Sequence, residues 1–211
     1  MLLYSNLKWV MEMKNKEYLK YLGSHFEQIR KLFGWRQEDA AVRMGISRSK
    51  VVAIETEPTK LTESEATSLF FACDYEVYKA KLSLKKLNKE NFKNRASSIL
   101  SSTAFISSPL FLSAVVGVVA VAKPSLVAKM VPTIGSVFGS IWATASAKKK
   151  KENQINELTK KEVLDYESLK AGMEQTIKEM EKELLKIFAL ENWDRFEFYE
   201  KVHPDLILEE E

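Results

Sequence analysis

The spacing of apolar and polar positions changes rhythm three times along this chain, and each rhythm predicts a different element. The first stretch is Arg36–Glu57, RQEDAAVRMGISRSKVVAIETE. Read at 3.6 residues per turn, it predicts two short helices around a tight break. Gln37–Met44 places Ala40, Ala41 and Met44 on one face. Gly45 follows, where a left-handed backbone is cheap only for glycine. Ile46 is an apolar plug, and Ser47 stands where a helix N-cap belongs, its hydroxyl able to accept from an orphan amide. The second helix, about Arg48 to Thr56, offers Val51, Val52 and Ile54 to a core. The small Ala41 suits a close crossing of the two helices. Polar Arg48, Ser49 and Lys50 crowd the N-terminal end of the second helix, the end that a recognition helix presents to base edges.

The second rhythm is an absence of charge. Residues 99–122 carry none, and twelve of them are Leu, Ile, Val or Phe. After Lys123–Lys129 a second uncharged run, 130–147, ends at four lysines, Lys148–Lys151. Uncharged stretches of about eighteen residues or more are candidates to span a bilayer. The twelve large apolar residues of the first run supply on the order of −5 kcal/mol of insertion free energy, opposed by five serines, a threonine and Pro109. The second run is weaker, about 27 Å long as a helix, and holds Pro132. Its Gly135 and Gly139 form a small-xxx-small face that lets helices approach closely. Basic residues gather outside both runs, between Lys79 and Arg95 and at Lys148–Lys151. By the positive-inside rule, both outer ends of such a hairpin face the cytoplasm. An uncharged, Ser- and Ala-rich soluble core is the competing reading of 99–147.

The third rhythm returns to helical steps of three and four in a highly charged background. Ile155, Leu158, Tyr166, Leu169, Met173, Ile177, Met180, Leu184 and Ile187 form an apolar series, interrupted by Gly172. That series suits a coiled-coil seam for self-association, or equally a helix packed on its own chain. The acidic, aromatic end, with Trp193, Phe196, Phe198 and Tyr199, predicts a docked segment rather than a loose tail.

Residues Tyr18–Tyr75, about a quarter of the chain, resemble the lambda-repressor-like (XRE-type) helix-turn-helix family. LGSHFEQIRKLFGW matches its first helix, QEDAAVRMG its second, ISRSKVVAIE its third and LTESEATSLFFACD its fourth. The resemblance implies a five-helix DNA-binding domain. Within it, Gln37 touches a phosphate, Arg48, Ser49 and Ala53 face bases, and Ser47 and Lys50 make backbone or flanking contacts. Glu55, closing the Ile-Glu pair of the third helix, bonds within the domain. Two positions depart from the family pattern: Ala40 replaces a leucine, and Thr56-Glu57 replaces the glycine after the Ile-Glu pair.

These readings combine into an all-α chain: a helix-turn-helix domain over 17–78, a basic helix or linker over 79–98, an apolar helical hairpin over 99–147, membrane-spanning or a soluble core, and a charged helical region over 148–211. Residues 1–16 read as a poorly specified lead-in. Composition narrows the chemistry. A net charge of +3 is too small for the whole surface to attract nucleic acid, so a local patch must do so. The single cysteine, Cys73, forms no internal disulfide and reads as a small core residue in a reducing compartment. The two histidines, His25 and His203, are too few and too far apart in the chain to make a zinc site with one cysteine. No glycine loop suited to phosphates occurs, so no enzyme, cofactor, metal or small-molecule substrate is expected.

The expected function is that of a sequence-specific transcriptional regulator of the repressor type. It would bind operator DNA as a homodimer, tethered to the inner face of the membrane by the hairpin. Two alternatives stand beside it. In one, a membrane-active effector uses its hairpin to perturb the bilayer while the DNA-binding domain autoregulates or senses. In the other, a soluble repressor has an apolar ligand- or partner-binding second domain.

Overall fold

A computed structural model describes residues 2–90, 92, 108, 110–111, 113–114, 117–118 and 165–203. These residues form helices and no strand. In chain order they are α1 (Leu2–Leu32), α2 (Gln37–Met44), α3 (Arg48–Thr56), a 3-10 turn (Pro58–Lys60), α4 (Glu63–Lys86), α5 (Tyr166–Ile187) and α6 (Arg195–Val202). The chain divides into two compact units. One combines residues 1–31, 35–74 and 181–211, and the other 32–34 and 75–180.

Helix α1 begins at Leu2, so the expected lead-in is helical. Neither Gly nor Pro occurs before Gly23, and the stretch is rich in Leu, Met, Lys and Glu, all good helix formers. The helix ends at Leu32 rather than reaching Trp35, because Gly34 turns left-handed at φ 65°. The Trp35 N–H then donates back to the Arg30 carbonyl at 3.0 Å, closing a Schellman turn. Helix α4 runs unbroken from Glu63 to Lys86, so the basic stretch from Lys79 starts as its last turns and not as a helix of its own. It is opened by Thr62 and Glu65. The Thr62 N–H donates to Glu65 at 2.9 Å, and Thr62 Oγ1 accepts from the Glu65 N–H at 3.4 Å.

The core of the first unit is drawn from every helix in it. Leu22, Phe26 and Ile29 of α1 are fully buried, as are Val51 and Ile54 of α3, Leu69 and Phe70 of α4, and Phe198 and Val202 of α6. Cys73 is buried among them, as its sequence context implied. Gly23 lies where α1 meets the 3-10 turn: a Cβ there would come within 2.2 Å of the Pro58 carbonyl oxygen. Only a hydrogen side chain permits that approach.

The second unit buries Phe33, Val77, Ala80, Leu87, Phe92, Phe111 and Ala114 together with Leu169, Met173, Ile177 and Met180 of α5. Of the apolar series that suited a coiled-coil seam or a helix packed on its own chain, Leu169, Met173, Ile177 and Met180 are covered within the single chain, while Ile155 and Leu158 lie outside the described residues. Thr176 on the same face satisfies its hydroxyl by donating to the Gly172 carbonyl at 2.6 Å. The expected hairpin over 99–147 lies almost wholly outside the described residues. Among the described residues, no helix is long and apolar enough to cross a membrane.

Candidate nucleic-acid interface

The α2–α3 pair is shaped by its own local chemistry. Asp39, one turn into α2, accepts from the Arg36 N–H at 2.9 Å and from the Arg36 guanidinium at 3.2 Å. Burial would raise the Asp39 carboxyl, but the Arg36 bonds and the charges of Arg36 and Arg43 outweigh it and hold the group below its ordinary value. Gly45 ends α2 at φ 67°, and the Ile46 N–H returns to the Ala41 carbonyl at 3.0 Å. Two residues later Ser47 Oγ accepts from the Lys50 N–H at 3.2 Å and caps α3. Ala40, Ala41 and Met44 of α2 and Val51 and Ile54 of α3 are buried. This leaves the N-terminal end of α3 facing outward, with Ser47, Arg48 and Ser49 exposed.

Near the other end of α3 sits a part-buried ion pair. Arg30 of α1 donates to Glu55 at 2.5 Å, and Gln37 Nε2 donates to the other Glu55 oxygen at 2.7 Å. The side chains of Arg30 and Glu55 are only 12% and 10% exposed. Arg30 also donates to the Trp35 carbonyl at 2.8 Å. Three helices are thus fixed through one carboxylate, which turns inward as the resemblance implied. Such a pair is costly to desolvate, and its value lies in fixing one arrangement once every hydrogen bond is made.

The six residues singled out from the sequence fall into two groups. Gln37, Ser47, Arg48 and Ser49 lie together: Arg48 Nη2 donates to Gln37 Oε1 at 3.3 Å, and the Ser47 and Ser49 hydroxyls are 2.9 Å apart. Lys50 and Ala53 stand back from them. Lys50 donates to the Lys60 carbonyl at 3.0 Å and pairs with Glu65 at 3.2 Å, tying α3 to the start of α4. Ala53 is half-buried and offers a methyl. Arg48 is held only loosely, by the long bond to Gln37 and an exposed ion pair with Glu38 at 2.8 Å. Such pairs contribute about 0–1 kcal/mol, so the guanidinium can leave for a better partner.

Three contributors escaped the sequence reading: Arg30, Glu38 and Glu65. Each acts through a partner at least ten residues away, and apolar periodicity carries no trace of such pairings. They also set the local charge. From Arg36 to Glu65 five basic residues, Arg36, Arg43, Arg48, Lys50 and Lys60, meet six acidic ones, Glu38, Asp39, Glu55, Glu57, Glu63 and Glu65. Within 36–65 there is thus no broad basic face, and any attraction of this segment to a polyanion would rest on Arg48 and its immediate neighbours. Among the described residues no cluster of His, Cys, Asp and Glu could hold a metal ion. Neither a known protein family, nor a curated protein, nor a solved structure matches this chain.

Proposed function

We propose that this protein is a sequence-specific DNA-binding regulator of transcription that works as a homodimer. The observation that carries the reading is the outward, capped N-terminal end of α3. Ser47, Arg48 and Ser49 project from a helix whose other face, Val51 and Ile54, is fully buried. A helix seated this way can enter a major groove with its first turn against base edges. Arg48 can offer both guanidinium nitrogens to the O6 and N7 of one guanine, a contact worth about 1–3 kcal/mol of discrimination. Homodimerisation is proposed because one such module buries a modest surface, and two half-sites multiply its selectivity.

The test is selection from a pool of random duplexes with the full-length protein, followed by titration of the enriched sequence. Wild type should enrich one motif. Arg48→Ala should lose specific binding while keeping most non-specific binding, and Glu38→Gln should tighten binding by freeing Arg48 from its exposed partner. No enrichment by wild type, or an unchanged specificity ratio for Arg48→Ala, would overturn the reading.

A tether to the inner face of the cell membrane is a second element of the reading. It is favoured by the lack of charge over 99–122 and 130–147 and by the lysines gathered outside both runs. Val118→Arg near the centre of the first run would cost about 2.5–3.5 kcal/mol of insertion and should release the protein from vesicles in a flotation gradient. Wild type that remains at the bottom of that gradient sinks the tether while leaving the DNA-binding reading intact.

A further inference from the structure

The unit that carries α2 and α3 is not continuous in sequence: residues 181–211 complete it after an excursion through 75–180. The returning segment is clamped at both edges and along its middle. Tyr18 of α1 donates to the Phe188 carbonyl at 2.8 Å, where the segment leaves α5. Asn15 of α1 donates to the Val202 carbonyl at 2.8 Å, where the segment ends, and with the same amide nitrogen to Glu63 of α4 at 2.6 Å. His203 adds an ion pair to Glu63 at 3.2 Å. In the middle, Asp74 accepts from Trp193 Nε1 at 2.9 Å and from Arg195 at 2.8 Å.

Between these anchors lies a ring stack centred on Phe70 of α4. Phe198 lies flat on Phe70 with centroids 4.2 Å apart and planes 10° from parallel. Trp193 stacks at 4.7 Å, and Phe188 meets Phe70 edge-on at 5.6 Å. Phe70, Phe188 and Phe198 are all fully buried. Without residues 188–203, Phe70 would lose the three rings packed on it, and α1 (through Asn15 and Tyr18) and α4 (through Asp74) would lose the one segment to which both are bonded.

We infer that Phe188–His203 is a strap whose docking holds the α2–α3 turn in its working geometry. The route is physical and short. The strap fixes α1 against α4. In turn α1 fixes α3 through Arg30–Glu55 and through the close seat of Gly23 on Pro58. Helix α5 leads directly into the strap, and its residues up to Met180 belong to the other unit. An event that pulls on α5 therefore loosens the turn through a two-state element, docked or released, rather than by a gradual distortion. The inference concerns coupling within the chain and holds whatever ligand α3 reads.

Hydrogen exchange of the full-length protein tests it. In Phe198→Ala, amides of residues 37–56 should exchange at least about tenfold faster, in step with those of 195–202, while amides of 166–180 stay near wild type. Acceleration confined to 195–202 would show that the strap is dispensable to the turn and overturn the inference. If Phe198→Ala unfolds the whole chain, Asp74→Asn decides, since it weakens the Trp193 and Arg195 anchors without opening the core. The same paired acceleration of 37–56 and 195–202 is expected there, and its absence overturns the inference. Phe196→Ala, at a ring 80% exposed on the far side of α6, should change neither segment.

Discussion

The α2–α3 turn and the Phe70 ring stack lie in one unit but are built in opposite ways. The turn is shaped by neighbours: a left-handed glycine, a serine cap and a carboxylate one turn into its helix, all within twelve residues of one another, 36–47. The stack is assembled from α4 and a segment more than a hundred residues later, with Asp74 and Trp193 separated by 119 positions. Local chemistry sets the shape of the turn. It does not supply much stability, because helices of eight and nine residues are too short to persist alone in water. Stability comes from the distant partner, so shape and support have separate sources and can be varied separately.

The sharpest way to break the comparison is at the stack. Phe70→Ala removes a fully buried ring that contacts Phe188, Trp193 and Phe198. The cost should be about 3–5 kcal/mol, enough to unfold many single domains outright. Phe71→Ala, at a neighbouring ring 37% exposed, should cost far less. Denaturant unfolding followed by circular dichroism separates the two. Equal midpoints for both variants would mean that the stack does not support the unit.

Next comes the carboxylate where the two modes meet. Glu55→Gln keeps the shape and the link to Gln37 but leaves the Arg30 guanidinium, 12% exposed, with only the more distant and exposed Glu27 carboxylate, 3.7 Å away, as counter-charge. Hydrogen bonds to charged groups contribute about 1.5–3 kcal/mol, and a loss of that size is expected in the unfolding free energy. DNA affinity of the folded fraction should change little, since Glu55 points away from the exposed end of α3. A variant that kept its melting temperature yet lost affinity would place Glu55 in the interface instead.

How much of this was legible from residue order follows from the same contrast. The bounds expected for α2 and α3, Gln37–Met44 and about Arg48–Thr56, coincide with the helices observed, because Gly45 and Ser47 act on their immediate neighbours. The inward role of Glu55 followed from the family resemblance, but its partner Arg30, 25 residues earlier, did not. The aromatic end was legible as a docked segment only in part. Phe198 is buried as expected, whereas Phe196 is 80% exposed, because a helix turns residues two apart to different faces. What Phe198 docks against could not be read, since no period or spacing links residue 198 to residue 70. Lys50 shows the same limit at the site. The family resemblance implied a backbone or flanking contact for it, and only the fold reveals Glu65 and the Lys60 carbonyl as its partners.

A smaller effect is expected at the upper end of the strap. Burial, with lesser contributions from Tyr21 and Glu197, raises the Tyr18 phenol well above its ordinary value of about 10. The folded chain thus holds this proton more tightly than the unfolded chain. Its contribution is complete below the ordinary phenol range and is lost as pH rises beyond it. Tyr18→Phe removes the bond to the Phe188 carbonyl and should cost about 1 kcal/mol at neutral pH. The variant should also lose stability less steeply than wild type above pH 10 or so. Parallel alkaline limbs for the two proteins would show that Tyr18 titrates as an ordinary phenol.

The smallest effect belongs to the turn itself. Asp39 lies below its ordinary carboxyl value because Arg36 bonds to it through backbone and side chain, against the opposing effect of burial. A depressed carboxylate contributes stability that is present above its unfolded pKa and disappears as pH falls through the folded value. Asp39→Asn keeps a hydrogen-bond acceptor at the start of α2 but removes the charge near the helix N-terminus. A loss of about 0.5–1 kcal/mol at pH 7 is expected, shrinking towards zero in acid as the wild-type carboxyl gains its proton. Thermal unfolding from neutral pH down to the carboxylate range should therefore show two curves converging. A gap that stays constant across that range would assign the cost to altered packing at Asp39, and the charge would then play no part in shaping the turn.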